Sequence, residues 1–292
     1  MLSSRFSTAS ERANPEQLLI SKLKCRTTDV SVDISLDDYN SVLLYFASTH
    51  NPHKAEEWIS KMEQDTVFQN SLPDVDSYNA VIKAWAFSKE QNAVVRAERW
   101  FHRIKEVNSK SGPNTESYNL LLKALSRAWG GNASIRESNA RKAEQLLEEM
   151  KSAKLSTIQP TTDSFNNVMH VWVKCGGDVA DVGEKVLKLL QDMEKHATIS
   201  ASFVRPNTVS YTIAMNAFRA SAALKQRKIN RGSNVIGSPL DDVLKAESVL
   251  NYMHDLYDAG VSDVIPDTQA HNSLIAGEWL KCMGIYILLC LW

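Results

Sequence analysis

Tyr39-Asn40-Ser41-Val42-Leu43, Tyr78-Asn79-Ala80-Val81-Ile82 and Tyr118-Asn119-Leu120-Leu121-Leu122 are three copies of one phrase: an aromatic residue, a small polar residue, then a short apolar run. The phrase returns as Phe165-Asn166-Asn167-Val168-Met169 and Tyr211-Thr212-Ile213-Ala214-Met215, and more weakly as His271-Asn272-Ser273-Leu274-Ile275. Seven residues after the aromatic, the first five copies carry Phe46, Trp85, Leu125, Trp172 or Phe218. Apolar side chains at i, i+3, i+4 and i+7 form one face of an α-helix, so each phrase predicts a helix, termed helix A.

A second phrase alternates with the first. Ala55-Trp58-Ile59-Met62, Ala97-Trp100-Phe101-Ile104, Ala143-Leu146-Leu147-Met150, Val186-Leu189-Leu190-Met193 and Ala246-Val249-Leu250-Met253 share the same helical spacing, and four of the five have Glu directly after the Ala. This is helix B, whose small first residue lets helix axes approach closely. Five residues before the aromatic stands Pro73, Pro113, Pro160, Pro206 or Pro266, followed by Asp74, Asn114, Thr161, Asn207 or Asp267. Proline ends the preceding helix, and a short polar residue after it suits a turn or a helix start.

The unit is therefore an antiparallel helix pair, repeated at least five times, which predicts an all-α chain built as an α-solenoid of stacked pairs. Its expected divisions are an N-terminal extension with a capping helix over 1–35, repeats at 36–74, 75–114, 115–161, 162–207 and 208–267, and a partial sixth repeat over 268–292. The distance between successive aromatics lengthens along the chain. The extra residues fall mainly between helices A and B, at Trp129-Gly130-Gly131-Asn132, at Cys175-Gly176-Gly177-Asp178, and from Ala223 to Asp242. Such insertions are cheap, because loop-closure entropy grows slowly with length. The third insertion, with Lys225, Arg227, Lys228 and Arg231 and few large apolar groups, is expected to be mobile.

Composition agrees with a soluble globular chain. Apolar residues make up 43% and charged residues 23% of 292, and 33 Lys+Arg against 34 Asp+Glu leave a net charge of −1. That balance excludes a strongly basic histone-like binder and confines any nucleic-acid contact to a local patch. Cys25, Cys175, Cys282 and Cys290 form no CxxC pair or Cys/His cluster, which argues against structural zinc and a disulfide framework. The first ten residues, MLSSRFSTAS, have the Ser/Arg-rich, acid-free composition of an organellar transit peptide, although Glu11 follows early; an unstructured start fits them as well. The chain closes on MGIYILLCLW from Met283 to Trp292, much too short to cross a bilayer, which takes about 20 apolar residues. A buried terminal helix and an abnormal end of the chain both fit, and the missing polar face favours the second.

The [Tyr/Phe]-Asn-x-[Val/Leu] helix, the Ala-x2-[Trp/Leu]-x3-Met helix and the closing Pro-[Asp/Asn] together resemble the pentatricopeptide repeat family. The five units from Leu36 to Asp267 carry the resemblance, and their length is the main departure. Tetratricopeptide repeats fit less well, since no Leu-Gly stands inside helix A. The resemblance implies a right-handed superhelix whose A helices line the concave face and bind single-stranded RNA, about one base per repeat. It implies base reading by the residue after the aromatic together with the last residue of the same repeat: Asn40/Asp74, Asn79/Asn114, Asn119/Thr161, Asn166/Asn207 and Thr212/Asp267, with Asn272 opening the sixth. By the family's preferences Asn/Asp favours uracil, Asn/Asn pyrimidines and Thr/Asp guanine, while Asn/Thr matches none of the common combinations. The implied target is U-Y-(Y?)-Y-G, with no assignment made for the third base. Read without the resemblance, one such Asn is a residue that starts a helix.

Lys83, Lys123, Arg127, Lys174 and Arg219 lie four, seven or eight residues after the base-reading position on helix A and are candidates for phosphate contacts, or simply a solvated helix face. No HExxH, GxxxxGK[ST], GxSxG or HxE…PCxxC motif is present. No enzyme, no catalytic residue, no metal and no cofactor is therefore expected. His170 reads as a surface or packing residue, and Asp241-Asp242 as an N-cap pair. Two functions remain. One is a monomeric, organellar, preferentially mitochondrial RNA-binding adaptor acting in RNA processing, stability, editing or translation, with single-stranded RNA and other RNA-processing proteins as partners and no membrane. The other is a helical protein-binding scaffold.

Overall fold

The computed structural model describes residues 14–28, 34–64, 72–107, 112–128, 130–153, 157–179, 181–199 and 204–273. The readings of the first ten residues, of Trp129, of Cys282 and Cys290 and of the apolar end at 283–292 fall outside them. Every regular element among the described residues is helical. The chain divides into two compact units, Met1–Gly112 and Pro113–Trp292.

The first unit holds α1 (Pro15–Thr28), α2 (Leu36–Ser48), α3 (Pro52–Gln64), α4 (Val75–Phe87) and α5 (Ala93–Val107). Helices α2 and α4 are A helices and pack on each other; α3 and α5 are B helices and pack behind them. Both apolar stripes point inward: Tyr39, Val42, Leu43 and Phe46 on α2, and Ala55, Trp58, Ile59 and Met62 on α3, are all buried. Each large side chain removed from water contributes about 1.5–3 kcal/mol. The Glu that follows the helix-B alanine has a structural reason. Glu56 accepts the indole N–H of Trp85 at 2.9 Å and of Trp100 at 2.6 Å, supplying the partner that a buried indole needs. Tyr78 donates to Glu63 at 2.8 Å, and Arg103 meets the same carboxylate at 3.0 Å.

The second unit holds α6 (Thr115–Arg127), α7 (Ala133–Ser152), α8 (Thr162–Lys174), α9 (Val182–Ile199), α10 (Thr208–Asn230) and α11 (Pro239–Asp258), with a further helical turn at 268–273. The A helices α6, α8 and α10 form one packed row, backed by α7, α9 and α11. Tyr118, Phe165 and Tyr211 are buried, as expected. Trp172 donates to Glu144 on α7 at 2.8 Å, repeating the indole–carboxylate pairing of the first unit. The helix-B stripe departs once, since Leu189 is only half-buried. At Gly183 a Cβ would stand 2.4 Å from the Phe218 ring, so α9 and α10 approach at a point only glycine allows.

A threonine at the first position of each A helix in this unit clips the segment that enters the next one. Thr115 Oγ1 accepts from Gln159 N at 2.8 Å, Thr162 Oγ1 from Arg205 N at 3.1 Å and Thr208 Oγ1 from Ile265 N at 2.7 Å. Each hydroxyl also donates to a carbonyl of that segment. These clips fix where each following A helix begins.

The insertions differ from the loops expected. At the third, α10 continues to Asn230 and α11 starts at Pro239, so only 231–238 is non-helical. At the first, the added length goes largely into α7, which runs 20 residues against 13 in α3. The reason at the third site is an ion pair. Lys225 lies 2.8 Å from Asp242, and the two side chains are only 8% and 4% exposed. Burial raises the Asp242 pKa, and the Lys225 ammonium opposes that rise. Asp242 is a buried partner of Lys225 and not a cap; Ser238 caps α11, with Asp241 completing the capping box.

Removing one member of a buried pair strands the other charge, at a cost of about 3–5 kcal/mol. Lys225→Ala should lower unfolding free energy by that order in urea, and adding Asp242→Asn should restore part of the loss. In the wild type, limited proteolysis should cut within 231–238 before 223–230. Equal stability of Lys225→Ala and wild type would show that the pair does not hold α10 to α11.

Candidate nucleic-acid interface

Four of the five A helices begin in one way. Asp74, Asn114, Thr161 and Asn207 are their N-caps, and each side chain accepts from the backbone N–H of the helix's third residue, Ser77, Ser117, Ser164 or Ser210. The serine hydroxyl reaches back to the cap's own N–H, at 3.2 Å in the case of Asp74. These reciprocal bonds form a capping box with serine in the place usually taken by Glu or Gln, and such a cap contributes about 1 kcal/mol. Acidic residues in the first turn, Asp76, Glu116 and Asp163, complement the helix dipole.

The same serines bind the asparagine one repeat earlier. Ser77 Oγ donates to Asn40 Oδ1 at 2.6 Å and lies 2.8 Å from Asp74 Oδ1, so a single hydroxyl bridges the first pair. Ser210 Oγ likewise meets Asn166 Oδ1 at 2.8 Å and Asn207 Oδ1 at 3.2 Å. In the third pair Ser164 donates to Asn119 Oδ1 at 2.6 Å, and Asn119 Nδ2 donates directly to Thr161 Oγ1 at 3.2 Å. The structure thus brings together Asn40 with Asp74, Asn119 with Thr161, and Asn166 with Asn207. Members of the second pair lie in different units: Asn79 is buried on α4, and Asn114 caps α6.

The fifth pair is built differently. Thr212 turns its hydroxyl back to the Thr208 carbonyl at 2.8 Å, while Asp267 accepts from Ala270 N at 2.8 Å and so caps the turn at 268–273. Alanine replaces serine at the third helical position, and no hydroxyl bridges Thr212 to Asp267. Asn272 is exposed on that turn.

Three of the phosphate candidates gather around His170 on the faces of α6 and α8. Desolvation first, then the charges of Lys123 and Lys174, hold the His170 pKa below the usual histidine value. Lys174 is itself lowered, by desolvation and then by Arg127, and its Nζ donates to the Ala128 carbonyl at 3.0 Å. Positive charge is therefore concentrated here, the condition that favours an anion. Lys83 on α4 and Arg219 on α10 are exposed outside this group.

The chain's match to a family agrees with this geometry: the pentatricopeptide repeat domain model matches residues 22–86. Residues 22–86 are thus similar to a pentatricopeptide repeat domain. It is 31% identical over 98 residues to the mitochondrial 15S rRNA processing factor ppr3 of Schizosaccharomyces pombe, a match that takes in 34% of this chain and 12% of that protein. Among solved structures it is similar to the pentatricopeptide repeat protein PPR10 from maize, at 16% identity and a TM-score of 0.30, over 92% of this chain and 45% of that one. The chain therefore spans a small part of the curated relative and under half of the solved chain.

Within these helical repeats, sequence reasoning overlooked Ser77, Ser117, Ser164 and Ser210. Their signal was present: serine stands directly before the aromatic in four copies, always four residues after the proline. The clip threonines Thr115, Thr162 and Thr208 carry a similar mark, two residues after the proline.

Because folded His170 holds its proton less tightly than the unfolded chain does, its contribution to stability is lost as pH falls below the ordinary histidine value. An NMR titration should give His170 a midpoint below that of a free histidine, and Lys123→Ala or Lys174→Ala should each raise it. An unchanged midpoint in both variants would dissolve the cluster.

Proposed function

We propose that this chain is a sequence-selective, single-stranded RNA-binding adaptor of mitochondrial RNA processing, stability, editing or translation. The observation that carries the reading is the recurrent polar pair at the start of the A helices, beside a concentration of positive charge. Asn40 with Asp74, Asn119 with Thr161 and Asn166 with Asn207 each place donors and acceptors side by side, the arrangement that reads base edges on unpaired strands. Lys123, Arg127, Lys174 and His170 lie one and two turns along the same helices, where a strand's phosphates pass. The relative named as a mitochondrial 15S rRNA processing factor supports RNA as the ligand and the mitochondrion as the place.

On this reading the repeats divide at 36–74, 75–114, 115–161, 162–207 and 208–267, and the target runs U-Y-(Y?)-Y-G from 5′ to 3′. The third base is unassigned because Asn119 with Thr161 matches none of the family's common combinations. The chain acts as a monomer, by occupying a strand and meeting other RNA-processing proteins, without catalysis or cofactor of its own.

Single-stranded RNA carrying this pentamer should out-compete its duplex, since duplex edges are closed to such a surface. Lys123→Ala should weaken binding to all sequences alike and flatten the salt dependence by about one ion. Thr212→Asn, which pairs an asparagine with Asp267, should move the fifth-base preference from guanine toward uracil. Equal losses on every RNA in both variants would mean that the surface reads charge alone; unchanged RNA binding in both would make the chain a protein scaffold.

A further inference from the structure

We propose that Ser77, Ser164 and Ser210 are positioning residues that set base specificity by fixing which end of the neighbouring asparagine amide faces the RNA. The proposal rests on the RNA-binding reading above and adds a residue to each reading pair.

An asparagine carboxamide offers an acceptor at one end and two donors at the other, and a half-turn about its last torsion exchanges them. Left free, it meets either kind of base edge and discriminates poorly. In three places the structure removes this freedom by the same means. Ser77, Ser164 and Ser210 are each fully buried, and each hydroxyl donates to the Oδ1 of Asn40, Asn119 or Asn166 at 2.6–2.8 Å. Each serine is itself held by the capping box, whose cap N–H donates to the same hydroxyl oxygen. With the oxygen turned inward, the NH2 group is what the asparagine presents. Reversing the amide would turn its oxygen toward the RNA and take away the acceptor that the serine hydroxyl meets.

The consequence is sharpest at the first pair. Asn40 then presents a donor beside Asp74, whose Oδ1 accepts from Ser77 N while Oδ2 remains as an acceptor. A donor next to an acceptor complements uracil, which sets a carbonyl beside the N3–H. Cytosine, with the acceptor N3 beside an amino group, presents the reverse order. Were Asn40 turned over, two acceptors would stand side by side and the uracil carbonyl would be repelled.

The fifth pair is the internal control. There Ala270 replaces the serine, and the reading residue is Thr212, which has no amide to orient. Serine is present beneath the reading residue wherever that residue is shown bonded as an asparagine, and absent where it is threonine.

Competition binding with two single-stranded RNAs that differ only in the first base, U or C, tests the assignment. Ser77→Ala should reduce the U-over-C ratio by about fivefold or more, the scale of one good base contact, while discrimination at the fourth base stays as in wild type. Ser77→Thr, which keeps the hydroxyl, should restore the ratio. A purely structural serine would weaken both RNAs equally and leave the ratio untouched, and that result overturns the proposal. Should Ser77→Ala fail to fold, the fifth repeat decides. Thr212→Asn combined with Ala270→Ser should favour uracil there more strongly than Thr212→Asn alone, and equal preference in the two would count against the serine. A wild-type chain that binds neither RNA in preference to duplex removes the RNA reading itself, a result separate from a selective wild type whose variants keep their selectivity.

Discussion

The capping box at the start of each A helix is the constraint on which the arrangement depends. A helix start leaves backbone N–H groups unsatisfied, and in a stacked array it sits next to the preceding helix where water is scarce. Asp74, Thr161 and Asn207 answer that need through a buried serine, and the serine has one bond left to give. It gives it to Asn40, Asn119 or Asn166 of the repeat before. One small network therefore satisfies the helix start, ties neighbouring A helices together and fixes the polar pair. Because every member is hydrogen-bonded, burying it carries little of the usual penalty for polar groups in a core.

A similar economy holds on the helix-B side. Trp58, Trp85, Trp100 and Trp172 bring large apolar area into the core, and each indole N–H ends on a glutamate: Glu16, Glu56 for two of them, and Glu144. The carboxylates lie at the edge of the core, part-buried, where they accept these bonds and still reach water or an arginine such as Arg96. Variable spacing between repeats leaves these pairings intact, because added residues lengthen α7 and α10 instead of parting the helix pairs.

Charge is organised locally, although the chain is almost neutral. Surface acids are largely spent on ion pairs between and along helices, as in Arg136 with Asp178 and Lys54 with Glu57. Around His170, by contrast, burial and then the charges of Lys123 and Lys174 depress its proton affinity. Such a site gains most when an anion arrives, so the net charge of the chain says little about the affinity of this face.

The sequence by itself determined the helix pairs. The i, i+3, i+4, i+7 stripes around Tyr39, Tyr78, Tyr118, Phe165 and Tyr211 become buried faces because a 3.6-residue period leaves an apolar stripe no other place to go. The proline and the short polar residue after it marked the helix starts for an equally local reason, since both act on the backbone next to them. What only the tertiary structure decided lies between repeats. Ser77 and Asn40 are 37 positions apart, and nothing local to either shows that a hydroxyl at one orients an amide at the other. Lys225 and Asp242 read as a charged, mobile insertion, yet they close on each other because α10 extends past the expected end of its pattern and brings them within reach. Periodicity reports what a residue does within its own helix; the partners of polar side chains depend on which helices meet, and that is settled only when the repeats pack.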